Sequence, residues 1–293
     1  MRTVTGWALV LRWGLVVSLV ATVLVGGHAS PADAVEEAKA ASGPPLHIAL
    51  FISSREDLCH DPGDAAAVRR LATVEQRRIN SRGGVAGRPI EIKVLDDGRD
   101  EARAAANMRT ALADRNMLGM VGMSNSTRAK AVFDALGKEI GASGIPFLSE
   151  ISVSSVFASH VNVFTMRPSQ DEERVPVMAA FTRALGFVRP AFLGNADSVM
   201  SDAMRDSFRS LLGASGMVGD HRIRAADGKT DAAEVDQVVA ALAAEKPDMI
   251  FLAVGSRAAP AVISRLIAAN LTPALFVTGR IDALPADLRS AYP

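Results

Sequence analysis

Residues Ile79–Asp97 read INSRGGVAGRPIEIKVLDD. A helical pattern ends at Ile79-Asn80. The glycines Gly83, Gly84 and Gly87 then turn the chain, and a strand starts at Pro89 and runs to the Asp96-Asp97 pair. Glycines at such a joint supply the positive φ that other residues adopt poorly, and alone they indicate an α/β protein and nothing narrower. The helix extends backward on the spacing of Val68, Leu71, Ala72 and Ile79. Forward of the aspartates an Ala-rich helix starts at Glu101, with Ala104, Met108, Ala111 and Leu112 on one face.

The same alternation continues on both sides of this stretch. Short apolar runs occupy 46–52, 90–95, 117–122, 145–149, 161–165, 190–194, 248–254 and 274–278. Bounded runs of this length suit strands buried on both faces. Helical spacing fills the gaps, for example at Val132, Phe133, Leu136 and Ile140, at Val235, Val238, Val239 and Leu242, and at Val262, Ile263, Leu266 and Ile267. Strands alternating with such helices build βαβ units and a parallel sheet, and right-handed crossovers predict helices on both of its faces. The pattern divides into two blocks, 46–166 and 167–293, joined at MRPSQDEER (166–174), where Pro168 and a polar cluster suit a hinge crossing. The predicted fold is therefore α/β, with two Rossmann-like lobes whose parallel sheets are flanked by helices.

Composition agrees with this and narrows the function. Hydrophobic residues make up 49% of the 293, enough for full cores, whereas aromatics are only 5%, which favours helices on a buried sheet over a β-sandwich. Lys and Arg number 32, balanced by 32 Asp and Glu, so the chain has no strong field to hold nucleic acid or an anionic membrane. At the N-terminus Arg2 and Arg12 precede the uncharged run Trp13–Gly27, and Ala32-Asp33-Ala34 follows as an A-x-A site. That is a secretory signal over 1–34, cleaved after Ala34. An uncleaved anchor is the alternative, since counting back to Trp7 lengthens the run, although Arg12 interrupts it. Residues 35–45 read as a disordered leader. Cys59 is the one cysteine, so the exported chain has no internal disulfide.

The ordered motifs resemble the leucine/isoleucine/valine-binding family of type I periplasmic binding proteins. The stretch from Ile79 to Asp97 is similar to its I-N-x-x-G-G-(I/V)-x-G-(R/K) segment and the strand ending in Asp-Asp. Val121-Gly122 followed by MSNSTRA (123–129), Gly144–Ser149 (GIPFLS), and Asn162-Val163-Phe164 with Arg167-Pro168 and Asp171 match later parts of the pattern in order. The resemblance spans about 46 to 285. It implies a solute-binding protein of an ABC transporter that captures a small polar ligand (an amino acid, an amide or a small carboxylate) by lobe closure. Its partners would be that ligand and the transporter's membrane subunits, and its place the periplasm. Family members run on well past the point matching Pro293, and that return to the first lobe is expected to be missing here.

Ligands of open parallel sheets bind outside the carboxyl ends of the strands. The loop after the third run carries Ser124, Asn125, Ser126 and Thr127 ahead of a helix expected to begin near Arg128. Hydroxyls and helix N-terminal N–H groups there suit a carboxylate or amide oxygen, while capping by Ser126 or Thr127 is the plainer role. The resemblance implies ligand carboxylate contacts in this loop, and further contacts nearest Ser152 and Ser154 in the next. In the second block it points to Asp197 and Ser198, with Val199-Met200 where relatives often carry Tyr-Gly, and to Arg280 where relatives commonly have an acidic residue for a ligand ammonium. Arg280 facing the cleft would suit an acidic or neutral ligand; a solvated surface Arg is the alternative.

No nucleophile elbow, H-E-x-x-H pair or P-loop is present in the sequence. The histidines His28, His47, His60, His160 and His221 lack metal-ligand spacing, and Cys59-His60 adjacency is not catalytic geometry. The expectation is a non-enzymatic binder with no cofactor and no metal. The rival reading is the extracytoplasmic ligand-sensing domain of a membrane-tethered signalling protein.

Overall fold

A computed structural model describes residues 41–55, 62–150, 153–166, 168–213, 216–226, 229–255, 257–278 and 284–292. The first apolar run is strand β1 (Leu46–Ile52), and the helix before the glycine turn is α1 (Pro62–Ser81). The turn itself closes on backbone bonds from Gly84 N–H to Ile79 O and from Val85 N–H to Arg88 O. β2 (Ile90–Asp96), α2 (Glu101–Ala113), β3 (Met117–Gly122), α3 (Ser126–Ser143), β4 (Phe147–Ser149), the short α4 (Ser154–Phe157) and β5 (Val163–Thr165) follow. These strands form one five-stranded parallel sheet in the order β2-β1-β3-β4-β5.

After β5 the chain passes a π-helical turn, Gln170–Arg174, into α5 (Val175–Ala184), with Ser169 accepting from Glu172 N–H at its start. Then come β6 (Pro190–Asn195), α6 (Val199–Leu212), β7 (Gly219–Ile223), a two-residue antiparallel pair β8 (Ala225–Ala226) and β9 (Lys229–Thr230), α7 (Ala232–Glu245), β10 (Met249–Ala253), α8 (Ala259–Ala268), β11 (Ala274–Val277) and α9 (Ala286–Ala291). The second sheet is parallel, ordered β11-β10-β6-β7.

The order of strands decides which faces are covered. In the second sheet the crossovers run in both directions, so right-handedness distributes helices on both sides. One core gathers α7 and α8 side chains (Val235, Leu242, Val262, Leu266) on β6 and β10, and another packs Met204 and Phe208 of α6 and Val175 and Ala179 of α5 on Phe192 and Phe251. Every residue of β6 and β10 is buried.

The first sheet also carries helices on both faces, but unevenly. From β2 onward every crossover moves the same way, toward β5, so α2 and α3 share one face. There Ala49, Phe51, Met120 and Phe147 pack on Met108, Val132, Phe133 and Ile140. Among the described helices only α1, whose crossover runs the other way, belongs to the opposite face. It lies beside the edge strand β2, where Asn80 Oδ1 accepts from Ile90 N–H (2.7 Å) and Gln76 Oε1 accepts from Ile92 N–H (2.7 Å). Over β3, β4 and β5 the opposite face carries no helix among the described residues, and there Leu148 is 41% and Phe164 53% exposed.

Candidate functional site

β3 ends on a forced turn. Gly122 has φ 111°, and a Cβ there would sit 2.2 Å from Phe51 O, inside any allowed contact. Met123 follows at φ 60° and is buried. The chain thus leaves the sheet abruptly and delivers Ser124 and Asn125 to the start of α3. Asn125 is the N-cap, its Oδ1 accepting from Arg128 N–H at 3.0 Å. This corrects the expected helix start near Arg128 and the expected cap at Ser126 or Thr127: the amide side chain one residue earlier has the reach, and α3 begins at Ser126.

The strand ends next to it join the same edge. Ser149 is fully buried and its Oγ donates to Gly122 O (3.3 Å), while Glu150 N–H donates to the same carbonyl (3.3 Å), so the β4 loop sits against the β3 loop. Asp97 follows β2. Its Oδ2 accepts from Arg128 Nε (2.9 Å) and its Oδ1 from Arg99 N–H (2.8 Å), and the Asp97–Arg128 pair is almost fully buried. Asp96 accepts from Ser54 N–H and Gly98 N–H through one oxygen and from Arg69 Nη2 through the other. Burial opposes ionisation of Asp96, but the hydrogen bonds from Ser54 and Gly98 and the Arg69 charge outweigh it, and its carboxyl titrates below the ordinary range.

In the second sheet the end of β6 builds a matching corner. Asn195 N–H donates to Ser201 Oγ (3.0 Å), and Asn195 Oδ1 accepts from Asp197 N–H (3.1 Å). Ser198 caps α6, its Oγ accepting from Ser201 N–H (3.2 Å). The two corners touch: Val199 N–H donates to Thr127 Oγ1 at 3.2 Å, and Val199, Met200 and Ala203 pack against the core of the first sheet. The N-termini of α3 and α6 therefore meet at the carboxyl edges of both sheets. Each contributes first-turn N–H groups that no helical carbonyl can accept, and each carries the positive end of a helix dipole.

The structure thus brings Ser124, Asn125, Ser126 and Thr127 together with Asp197 and Ser198. The hydroxyl of Thr127 spans the junction, the side chains of Asn125 and Ser198 are engaged in capping, and Asp197 is exposed. Ser154 is the first residue of α4. Ser152 and Arg280 lie outside the described residues, as do Cys59, His60 and the segment 1–40. Depressions elsewhere, such as one of about 480 Å³ lined by Phe133, Lys138 and His160, sit on outer helix surfaces and include none of the strand-end residues. Among the described residues no cluster of His, Cys, Asp or Glu gathers as metal ligands would, and no helix is long and apolar enough to cross a membrane. The buried Asp97–Arg128 pair was not singled out from the sequence. Its signal was there in an Asp-Asp closing a strand and an Arg three residues after an Asn cap.

The sequence model for the family described as periplasmic binding protein matches residues 72–290. The chain has no match among the curated proteins. Solved structures share the fold at low identity. A branched-chain amino acid ABC transporter protein of Rhodospirillum rubrum is 21% identical over 85% of this chain and 68% of its own, with a TM-score of 0.52. A leucine-binding protein of Thermotoga maritima is 15% identical over 79% of this chain and 63% of its own, at 0.63. A Rhodopseudomonas palustris solute-binding protein of an ABC transporter, in complex with 3,4-dihydroxybenzoic acid, is 14% identical over 82% and 62%, at 0.60. The chain spans about two thirds of the length of these structures.

Proposed function

The chain belongs to the periplasmic binding protein family, and from that premise we propose that it is the extracytoplasmic solute-binding component of an ABC transporter. In this reading 46–166 and 167–293 are lobes that hinge about the 166–174 crossing and close on a small polar ligand. The observation that carries it is the meeting of two helix N-termini at the carboxyl edges of two parallel sheets, bridged by Thr127 Oγ1 and Val199 N–H. On opening, the Thr127 hydroxyl and the first-turn amides of α3 and α6 are released to a ligand, and on closure they surround it.

Two positive helix ends favour an anionic group, so a carboxylate, whether of an amino acid or of a small organic acid, is the ligand chemistry the edge suits best. Ser124, Ser126 and Thr127 would hold it from the first lobe, with Ser152 and Ser154 from the neighbouring loop. Ser198 and Arg280 would complete it from the second, and the Asp197 carboxylate would accept from the ammonium of an amino-acid ligand. Asn125 and Ser198 contribute by fixing the helix starts as much as by contact. Export by the N-terminal segment, cleavage after Ala34 and hand-over to membrane subunits complete the role.

The test is a thermal-shift panel of the exported protein with amino acids, amides and small carboxylic acids. A cognate ligand at about 100 times its Kd stabilises by about 2.7 kcal/mol, about 5–10 °C in a chain of this size. A flat response across the panel would remove the binding role.

A further inference from the structure

We propose that the Ser53 hydroxyl binds the ligand: from the carboxyl end of β1 it donates a hydrogen bond to a carboxylate oxygen of the solute held at the N-terminus of α3. This rests on the solute-binding role above and adds a contact from a strand that had contributed none.

Ser53 Oγ is buried from solvent and has no hydrogen-bond partner among the described residues. A hydroxyl taken out of water without a partner costs free energy, so such atoms are few in folded proteins and each calls for a cause. Two other side-chain atoms share the condition, Asn107 Nδ2 and Asn162 Oδ1. Asn107 lies within α2. Asn162 precedes β5 at the amino edge of the sheet, where its Nδ2 donates to Ile140 O (2.9 Å) and Ile145 O (2.8 Å). Ser53 is the one of the three at the carboxyl edge, immediately after Ile52, the last residue of β1.

Strand order places Ser53 at the crevice of that edge. In the order β2-β1-β3-β4-β5 the crossover from β1 runs toward one side of the sheet and the crossover from β3 toward the other. The chain therefore leaves β1 for α1 on one face and β3 for α3 on the opposite face. Ligands of open parallel sheets bind where neighbouring strand exits diverge in this way. Ser53 opens the β1 exit, and Ser124 to Thr127 form the β3 exit.

Alternation along β1 aims the side chain. Ala49 and Phe51 are buried in the core made with α2 and α3, and Ser53, two residues on, continues that side of the strand. On the neighbouring strand Phe51 pairs with Leu95. Two residues beyond Leu95 is Asp97, whose carboxylate reaches Arg128 Nε in the first turn of α3. Backbone bonds hold Ser53 from both ends: Ile52 O accepts from Asp97 N–H (3.0 Å), and Ser54 N–H donates to Asp96 Oδ1 (3.0 Å). On the β3 side Phe51 O accepts from Met123 N–H (3.4 Å). The hydroxyl is thus directed to the N-terminus of α3, where first-turn amides and the helix dipole favour an anion. A bond from a hydroxyl to a carboxylate is about twice as strong as one to a neutral oxygen.

The test is urea unfolding and isothermal titration calorimetry of the exported protein and of Ser53→Ala. The probes are the standard L-amino acids, with acetate, succinate and benzoate as simple carboxylates. The primary amide of the tightest-binding acid is the uncharged control. Without ligand, Ser53→Ala should have a urea midpoint equal to or above that of the wild type, because no bond inside the protein is lost. Its Kd for the tightest-binding carboxylate should rise at least about tenfold, the loss of one charge-assisted bond, and binding of the amide should weaken less. A lower midpoint in ligand-free Ser53→Ala overturns the proposal, since the hydroxyl then has a partner within the fold. So does an unchanged Kd, which leaves the solute-binding role standing. A wild type that binds none of the probes overturns both.

Discussion

At the scale of single residues, the edge of the first sheet rests on charges that have left water. Asp97 and Arg128 are nearly inaccessible and bonded at 2.9 Å. Removing one partner of such a pair strands the other, and Asp97→Asn should destabilise by about 3 kcal/mol in urea unfolding, more than an exposed pair would contribute. At the far edge, Asp114 accepts from Lys93 Nζ (2.8 Å), Asn116 N–H (2.9 Å) and His47 Nδ1 (2.7 Å). The Lys93 bond outweighs the burial that opposes it, and with Asn116 and His47 holds the Asp114 carboxyl at about 2 against an ordinary 3.8. A carboxylate depressed on folding stabilises above its unfolded value and loses that contribution as pH falls through the folded one. The wild type should therefore lose stability relative to Asp114→Asn between about pH 4 and pH 2, which acid titration of both melting points would register.

At the scale of elements, two local devices aim the site. Gly122→Ala would place a Cβ 2.2 Å from Phe51 O at φ 111°. The β3–α3 corner cannot absorb this without moving, and a loss of several kcal/mol is expected, about 3 or more, read as a fall in the urea midpoint. Asn125→Ala removes the cap at 3.0 Å and should lower stability by about 1 kcal/mol in the same experiment.

Much at this scale was readable beforehand. The runs at 46–52 and 117–122 are strands over those same residues, because an apolar run bounded by turns has few other uses. β4 and β5 each start two residues later than their runs. β7 escaped because GDHRI is an edge strand with alternating burial and no apolar run. The cap of α3 lies one or two residues before the expected Ser126 or Thr127 because Asn, Ser and Thr all cap, and only the backbone decides which of them sits at the boundary.

At the scale of the molecule, strand order proved more informative than helix count. Periodicity announces that helices and strands alternate, but not that, among the described residues, the crossovers of the first sheet place one helix on one face and the rest on the other. The site shows the same division. The hydroxyl-rich loop after β3 was legible as chemistry, whereas its contact with the β6 corner joins Thr127 to Val199, residues far apart in the chain, and no local pattern encodes that meeting. Lobe closure should depend on it: Thr127→Val keeps the shape but removes the acceptor, and faster proteolysis within 166–174 is the expected sign of a more open molecule.

Receipt of the ligand by the N-terminus of α3 is read from ligand-induced melting shifts of the wild type and of Ser126→Ala/Thr127→Val, measured side by side over the same carboxylate panel. The prediction is a shift of about 5–10 °C in the wild type with at least one carboxylate, reduced by more than half in the double variant. Equal shifts in both proteins, or none in either, would contradict it.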